Sequence, residues 1–296
     1  MTAPPAAPAI QGVIAYPVTP FDDTGVATAS LAAMIERLVA AGAQAIAPLG
    51  STGELAYLSE AEFDAVIDTT VGAVDGAVPV LAGVSDLTTA NTVRRARYAQ
   101  RAGVDAVQVI PVSYWKLSER EITEHFRAVS DAVDVPIMAY NNPATAGVDM
   151  SPALLVSMFR EIEHVTMVKE STGDLSRMLA LADLSDGALP FYNGSNPLVL
   201  DALRAGAAGW CTAAPNLAAQ RCLDLVAAVR AGEQDRAQRL YDSLKALLEF
   251  IVAGGLAATV KAGLELLGVP AGAPRRPLLP LDEAGRAELK AILADL

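Results

Sequence analysis

The sequence predicts an α/β protein, a (β/α)8 TIM barrel followed by a helical C-terminal extension. Three observations carry that expectation. Short apolar runs alternate with amphipathic stretches over the first two thirds of the chain, the pattern of βαβ units and a parallel sheet. About eight such units follow one another at even spacing, which fits a closed barrel better than an open sheet. Beyond about residue 215 the apolar positions keep helical spacing alone. A chain of 296 residues, 52% of them hydrophobic, can bury the core such a barrel needs.

The predicted strands are 12–19, 45–49, 78–84, 106–111, 135–140, 165–169, 189–193 and 209–212. Between them, 30–41, 60–71, 88–102 and 120–132 have the spacing of amphipathic helices. Ser59 with Glu62 and Ser118 with Glu121 have the form of capping boxes, and Ser151 before Pro152 reads as an N-cap with proline in the first turn. Ala-Gly pairs ending at Gly42, Gly103 and Gly206 supply the stops. Residues 1–215 thus read as the barrel that carries the site. Residues 216–296 read as the extension packed on it, with helices at 218–231, 235–253, 256–267 and 283–296 and a Pro/Gly/Arg loop at 268–280.

Composition excludes several classes. The formal charge of -12, with no Lys/Arg stripe, argues against nucleic acid and anionic membrane as partners. No apolar run is long enough to span a bilayer. Cys211 and Cys222 are too few for a disulfide framework and lack CxxC spacing, which suits a reducing cytoplasm. Residues 1–8, rich in Pro and Ala, read as a frayed tail without the basic and apolar segments of a signal peptide. His125 and His164 have no metal-ligand spacing, His125 reading as helix surface, so the chemistry is expected to need neither metal nor cofactor. No dinucleotide fingerprint, Walker A loop or nucleophile elbow is present.

Lys169 is the first candidate catalytic residue. Lys116, Lys245, Lys261 and Lys290 lie in stretches that read as loop or helix surface, whereas Lys169 ends the buried run Val165-Thr166-Met167-Val168. Burial disfavours the charged amine, and a neutral amine can attack a carbonyl. The alternative is a strand-end lysine paired with Glu170. In a barrel, chemistry sits at the C-terminal strand ends. There Gly50-Ser51-Thr52-Gly53-Glu54 offers backbone N–H groups and hydroxyls to a carboxylate or phosphate, or forms a plain glycine turn. Tyr114, in Ser113-Tyr114-Trp115-Lys116, and Tyr140, before Asn141-Asn142-Pro143, stand at two further ends, where a tyrosine can also be core. Together these groups describe a site for a 2-oxo acid. The lysine forms a Schiff base that serves as an electron sink, and a tyrosine hydroxyl moves protons.

Gly50-Ser51-Thr52-Gly53-Glu54, Tyr140-Asn141-Asn142-Pro143 and Lys169-Glu170-Ser171-Thr172-Gly173-Asp174 resemble the signatures of the dihydrodipicolinate synthase / N-acetylneuraminate lyase family. The resemblance covers nearly the whole chain, from Pro17-Val18-Thr19-Pro20-Phe21 onward. It implies a class I Schiff-base lyase on a TIM barrel and a homotetramer built as a dimer of dimers. It also implies Lys169 as the Schiff-base lysine, Tyr140 as the proton-transferring tyrosine, and Ser51 and Thr52 as the hydroxyls that hold and relay to the pyruvate carboxylate. Tyr114 corresponds to the tyrosine reaching across the dimer interface, and Cys211 to the backbone lining of the pyruvate pocket.

Departures from the family pattern bear on the substrate. Thr145 stands where the synthases carry an arginine for the carboxylate of aspartate semialdehyde, and losing that bidentate partner would cost a few kcal/mol. Asn193-Gly194 is followed by Ser195-Asn196-Pro197, with none of the acids that bind sugar hydroxyls in sialic acid lyases. Tyr114-Trp115-Lys116 resembles the loop of relatives acting on 2-keto-3-deoxy sugar acids. The expected function is therefore a pyruvate-type aldolase on a 2-keto-3-deoxy sugar acid or similar 2-oxo acid. Gly50, Asn142, Thr145, Ser171 and Asn196 are further expected substrate contacts. The alternatives are dihydrodipicolinate synthase, a 2-keto-3-deoxy acid dehydratase, and a non-catalytic relative that binds an oxo acid.

Overall fold

The structure is a computed structural model that describes residues 10–296; the segment expected to be a frayed tail, 1–8, lies outside the described residues. Apart from a two-stranded antiparallel pair, Phe21–Asp22 with Gly25–Val26, eight short strands build its main sheet: β1 Gly12–Ala15, β2 Ala45–Ile46, β3 Leu81–Gly83, β4 Ala106–Val109, β5 Ile137–Asn141, β6 Val165–Glu170, β7 Phe191–Asn193 and β8 Gly209–Thr212. They pair in parallel in the order β2-β1-β8-β7-β6-β5-β4-β3, and a bridge between Ile46 and Val80 joins the two ends of the sheet. The result is a (β/α)8 barrel. Its interior is packed by Ile14, Tyr16, Met138, Met167, Tyr192 and Cys211, topped up by Ile10. A larger apolar layer, with Ile46, Phe63, Val107, Phe126, Val168 and Leu181, lies between strands and helices.

The helices of the barrel part are α1 Thr28–Ala40, α2 Glu60–Val74, α3 Thr89–Ala102, α4 Glu119–Ser130, the single turn α5 Pro143–Ala146, α6 Pro152–Glu161, α7 Leu175–Leu184 and α8 Val199–Arg204. Local chemistry sets their ends. Both capping boxes form, Ser59 accepting from the Glu62 backbone N–H and Ser118 from that of Glu121. Ser151 accepts from Leu154 N–H, with Pro152 in the first turn of α6. Helices α9 Pro215–Arg230, α10 Gln234–Ala253, α11 Leu256–Leu266 and α12 Glu283–Ala294 complete the chain. Leu225, Leu244, Leu248, Ile251 and Leu289 knit them into a separate apolar cluster that reaches Val13 and Trp210 of the barrel. Among the described residues no helix is long and apolar enough to cross a membrane.

Two surface expectations are corrected. Lys261, read as helix surface, is 1% exposed. Its ammonium meets Glu54 at 2.6 Å, donates to the Ala273 carbonyl at 3.2 Å and lies over the Phe21 ring. A cation can be buried here because it has an anion, a carbonyl and a π face at once. His125 is half-buried beside Phe126, with Nδ1 2.9 Å from the Thr89 hydroxyl, and burial lowers its pKa.

The loop after α11 folds back on the barrel. Arg275 forms a bidentate pair with Glu62, at 2.7 and 2.6 Å, and its backbone N–H donates to Glu54 at 2.7 Å. The Arg275 hydrogen bond holds the Glu62 carboxyl at about 2 against an ordinary 4.5, burial opposing and Ser59 assisting. A depressed carboxyl stabilises the fold above its unfolded value, and that contribution disappears as pH falls from 4.5 through about 2. Glu62→Gln should lower the melting temperature at pH 7 and flatten the acid limb of a Tm-against-pH curve. Partial exposure keeps the effect to about 1 kcal/mol. An unchanged acid limb would contradict the assignment.

Candidate active site

The strand register brings the site together. Lys169 pairs with Tyr140 on one side and Tyr192 on the other, and these side chains point into the barrel with Met167 and Met138 below. Asn141, Glu170 and Asn193 are the next row and face outward. Glu170 accordingly bonds Asn141 Nδ2 at 3.0 Å, Thr172 N–H at 2.8 Å and Arg177 Nε at 3.3 Å. The strand-end ion pair considered for Lys169 is thereby removed, because its proposed partner is spoken for on the opposite face.

Lys169 is 5% exposed. Among the described residues no carboxylate comes within ion-pair distance of it. Its Nζ lies 3.9 Å from the centroid of the Tyr16 ring and 4.0 Å from that of Tyr140. Gly194 makes room for it, since a Cβ there would meet Lys169 Cε at 2.8 Å and collide with Ser171 Oγ. Gly194→Ala should therefore cut turnover at least tenfold by pushing the amine aside, with the melting temperature nearly unchanged. Wild-type steady-state kinetics in that variant would refute the close fit.

Tyr140 is buried, and its hydroxyl accepts from Asn142 Nδ2 at 2.9 Å. Burial pushes this phenol up, but Lys169 together with hydrogen bonds from Asn142 and Ser51 prevails and the net shift is downward. A phenol so disposed can give up and recover a proton. Ser171 Oγ is turned to the same region, yet it is buried without a properly formed hydrogen bond. It is an unfilled donor and acceptor beside the lysine.

Ser51 opens a 3-10 turn, Ser51–Gly53, in the loop after β2. Thr52 is buried, Ser51 half-buried, and Gly50 extended. Thr19 Oγ1 donates to Gly53 O at 2.7 Å and pins the turn. Leu49 and Glu54, on either side, both have positive φ, 62° and 57°. Such strain in non-glycine residues survives only where surroundings enforce it. At Leu49 the bare Cα of Gly83 leaves room for the carbonyl, and the Gly83 N–H holds the neighbouring Pro48 carbonyl at 3.0 Å. The Lys261 ion pair holds Glu54.

Other expected contacts are differently disposed. Asn142 caps α5, accepting from Thr145 N–H at 3.3 Å while donating to Tyr140, so both ends of its amide are engaged. Thr145 is exposed and lines the cavity mouth. Asn196 is buried and accepts from Thr212 Oγ1 at 2.7 Å. Cys211 is buried beside Tyr16; burial raises its thiol pKa, opposed by Lys169 and Tyr16. Tyr114 is 98% exposed and does not approach Lys169 within one chain. Two residues that the motifs did not single out join the site. Tyr16 follows β1, and its hydroxyl donates to Oε1 of buried Gln108 on β4.

A cavity of about 570 Å³ opens at this end of the barrel. Gly50, Ser51, Gln108 and Tyr140 line it together with Thr145, Leu55, Leu256 and Leu279. Arg95 is the one cation in its wall among the described residues. Arg95 is already bound to Glu60 at 2.7 Å and to the Ser85 carbonyl at 2.6 Å.

Comparisons with known proteins agree with this architecture. The profile of the dihydrodipicolinate synthetase family matches residues 9–296. The 4-hydroxy-tetrahydrodipicolinate synthase of Methanoculleus marisnigri is 33% identical over 289 residues, 96% of this chain and 99% of that protein. An uncharacterized DapA-like lyase of Halobacterium salinarum is 35% identical over 288 residues, 97% of this chain and 94% of that one. Among solved structures, a candidate dihydrodipicolinate synthetase from Pseudomonas aeruginosa superposes with TM-score 0.95 at 51% identity, covering 97% of this chain and 99% of that one. The dihydrodipicolinate synthase of Agrobacterium tumefaciens superposes at 0.92 with 31% identity, covering 97% and 98%. The chain belongs to the dihydrodipicolinate synthetase family, whose members are pyruvate-dependent class I lyases acting through a lysine Schiff base.

Proposed function

We propose that Lys169 is the Schiff-base lysine of a pyruvate-type aldolase acting on a 2-keto-3-deoxy sugar acid or a similar 2-oxo acid. The observation that carries this reading is the buried, anion-free amine between two aromatic rings, next to a phenol of lowered pKa. The Lys169 amine attacks the ketone of the oxo acid, and the carbonyl oxygen leaves as water. The resulting iminium withdraws electrons from the C–C bond one carbon further along, between the carbon next to the imine and the hydroxyl-bearing carbon. That bond breaks as the hydroxyl gives up its proton, releasing an aldehyde and leaving an enamine that is then protonated and hydrolysed to pyruvate. Tyr140 carries protons to and from the reacting atoms, with Ser51 as its relay. Ser51, Thr52 and the backbone around Gly50 hold the carboxylate, and Ser171 supplies a hydroxyl to the chain of the substrate.

The wall of the cavity supports the sugar-acid reading over the synthase. Aspartate semialdehyde brings a second carboxylate, and Thr145 cannot pair with it. Arg95, the one cation in the wall among the described residues, is committed to Glu60. The likeness to 4-hydroxy-tetrahydrodipicolinate synthases favours dihydrodipicolinate synthase as the second reading. The family resemblance further suggests a homotetramer in which the neighbouring subunit supplies Tyr114, whose full exposure in one chain supports that role. Two buried free thiols, Cys211 and Cys222, support a cytoplasmic setting.

Borohydride reduction followed by intact-mass and peptide analysis tests the reading. Incubation with 2-keto-3-deoxy sugar acids should leave a pyruvate-sized adduct on Lys169. An adduct of the whole substrate that lacks one water beyond the one lost in forming the imine would indicate a dehydratase. Turnover of pyruvate with aspartate semialdehyde, and none with the sugar acids, would establish the synthase instead.

A further inference from the structure

Tyr16 lies outside the motifs that identify the family, and its surroundings assign it a part in the chemistry. It follows β1, diametrically across the barrel from β5, which carries Tyr140. Lys169 Nζ is therefore approached by aromatic faces from opposite walls, at 3.9 and 4.0 Å. Three features hold the Tyr16 ring in that position. Its hydroxyl is anchored to Gln108 Oε1. Its edge rests on the bare Cα of Gly50, where a Cβ would come within 2.7 Å of Cδ1. Its backbone N–H donates to Thr212 O at 2.9 Å, continuing the β1–β8 ladder. Burial first, then Cys211, pushes the Tyr16 phenol well above its ordinary range, whereas the net shift of Tyr140 is downward.

We infer that Tyr16 is a positioning residue for the Schiff-base step, holding the Lys169 nitrogen and stabilising the positive charge that appears on it. The inference rests on the reading that Lys169 forms the imine. In that step a neutral amine, a ketone and one proton yield an iminium and one water; the C–N bond forms and the C–O bond breaks. Charge is thus created between the two rings, and a desolvated cation is attracted to an aromatic face. The Tyr16 ring favours the iminium over the free amine, while its packing on Gly50 and the backbone bond to Thr212, both of which a phenylalanine would keep, hold the ring in place.

The test titrates pyruvate under cyanoborohydride and measures the half-saturating concentration for trapping at the Lys169 peptide, with its pH profile. Tyr16→Leu should raise that concentration roughly two- to thirty-fold, the span of a partly to fully desolvated cation–π contact. Tyr16→Phe keeps the ring and should stay within about twofold. Tyr16→Met, close in volume, replaces the leucine variant if that one fails to fold. A merely structural role would lower the melting temperature and leave half-saturation and pH profile where they are. A folded Leu or Met variant that traps pyruvate like the wild type overturns the inference, as does a phenylalanine variant impaired as much as the leucine one. Failure of the wild type to trap pyruvate would instead refute the Schiff-base assignment itself.

Discussion

Lys169→Ala loses turnover by about 10⁴-fold or more, and borohydride no longer fixes pyruvate to the protein. A nucleophile that forms the covalent intermediate has no substitute in the site, because the Tyr140 phenol moves protons and cannot make an imine. The variant remains folded. Among the described residues Lys169 has no ion pair to break, so the loss comes from its methylenes against Tyr16 and Tyr140, about 1 kcal/mol. Steady-state rates, intact mass and thermal melting together give the answer. A variant retaining a tenth of the wild-type rate would remove Lys169 from the chemistry. A variant that binds pyruvate unchanged and whose parent never forms an adduct would describe a binding protein.

The second large effect concerns stability. Lys261→Met leaves Glu54 buried opposite a thioether, and breaking a buried ion pair from one side costs about 3–5 kcal/mol. Burial already lowers the Lys261 pKa, and Glu54 restores it only in part, so neither member is comfortable alone. The damage should extend to the substrate. Glu54 ends the turn that presents Ser51 and Thr52, and a loosened turn weakens the grip on the oxo acid. Raised KM for pyruvate is the expected kinetic sign. Adding Glu54→Gln to Lys261→Met should recover part of the lost stability, since an amide tolerates burial better than an unpaired carboxylate. Urea unfolding measures both. A single variant within 1 kcal/mol of wild type would mean that water or Arg275 compensates Glu54.

The barrel was legible because two periodicities alternate so regularly, and because serines at helix starts and Ala-Gly at helix ends marked the joints. Lys169 was legible for a related reason: a strand run ending in lysine is locally anomalous. Lys261 was not, since the reason for its burial lies in Glu54, on a loop distant in sequence. Helical spacing around Lys261 says which face it is on, but carries no sign of what that face meets. Tyr16 was missed through a misplaced boundary. The apolar run extends the expected first strand to residue 19, but Pro17 interrupts it, and the end at Ala15 makes Tyr16 a strand-end residue like Tyr140. Gln108, a polar residue within an otherwise apolar run, was its visible counterpart. Ser171 illustrates the converse, because its motif is plain in the sequence while its unfilled hydroxyl is a product of the fold.

Three glycines give the site an unusual relation to mutational scanning. Tyr16 rests on Gly50, the Leu49 carbonyl on Gly83 and the Lys169 side chain on Gly194, each in space that a single methyl group would occupy. The cavity is in this sense a cast, its contours drawn by side chains that are missing. Alanine, the customary blank in such scans, is at these three addresses an obstruction, and a scan that treats it as neutral would record as structural failures what are displacements of the tyrosine, the turn and the amine.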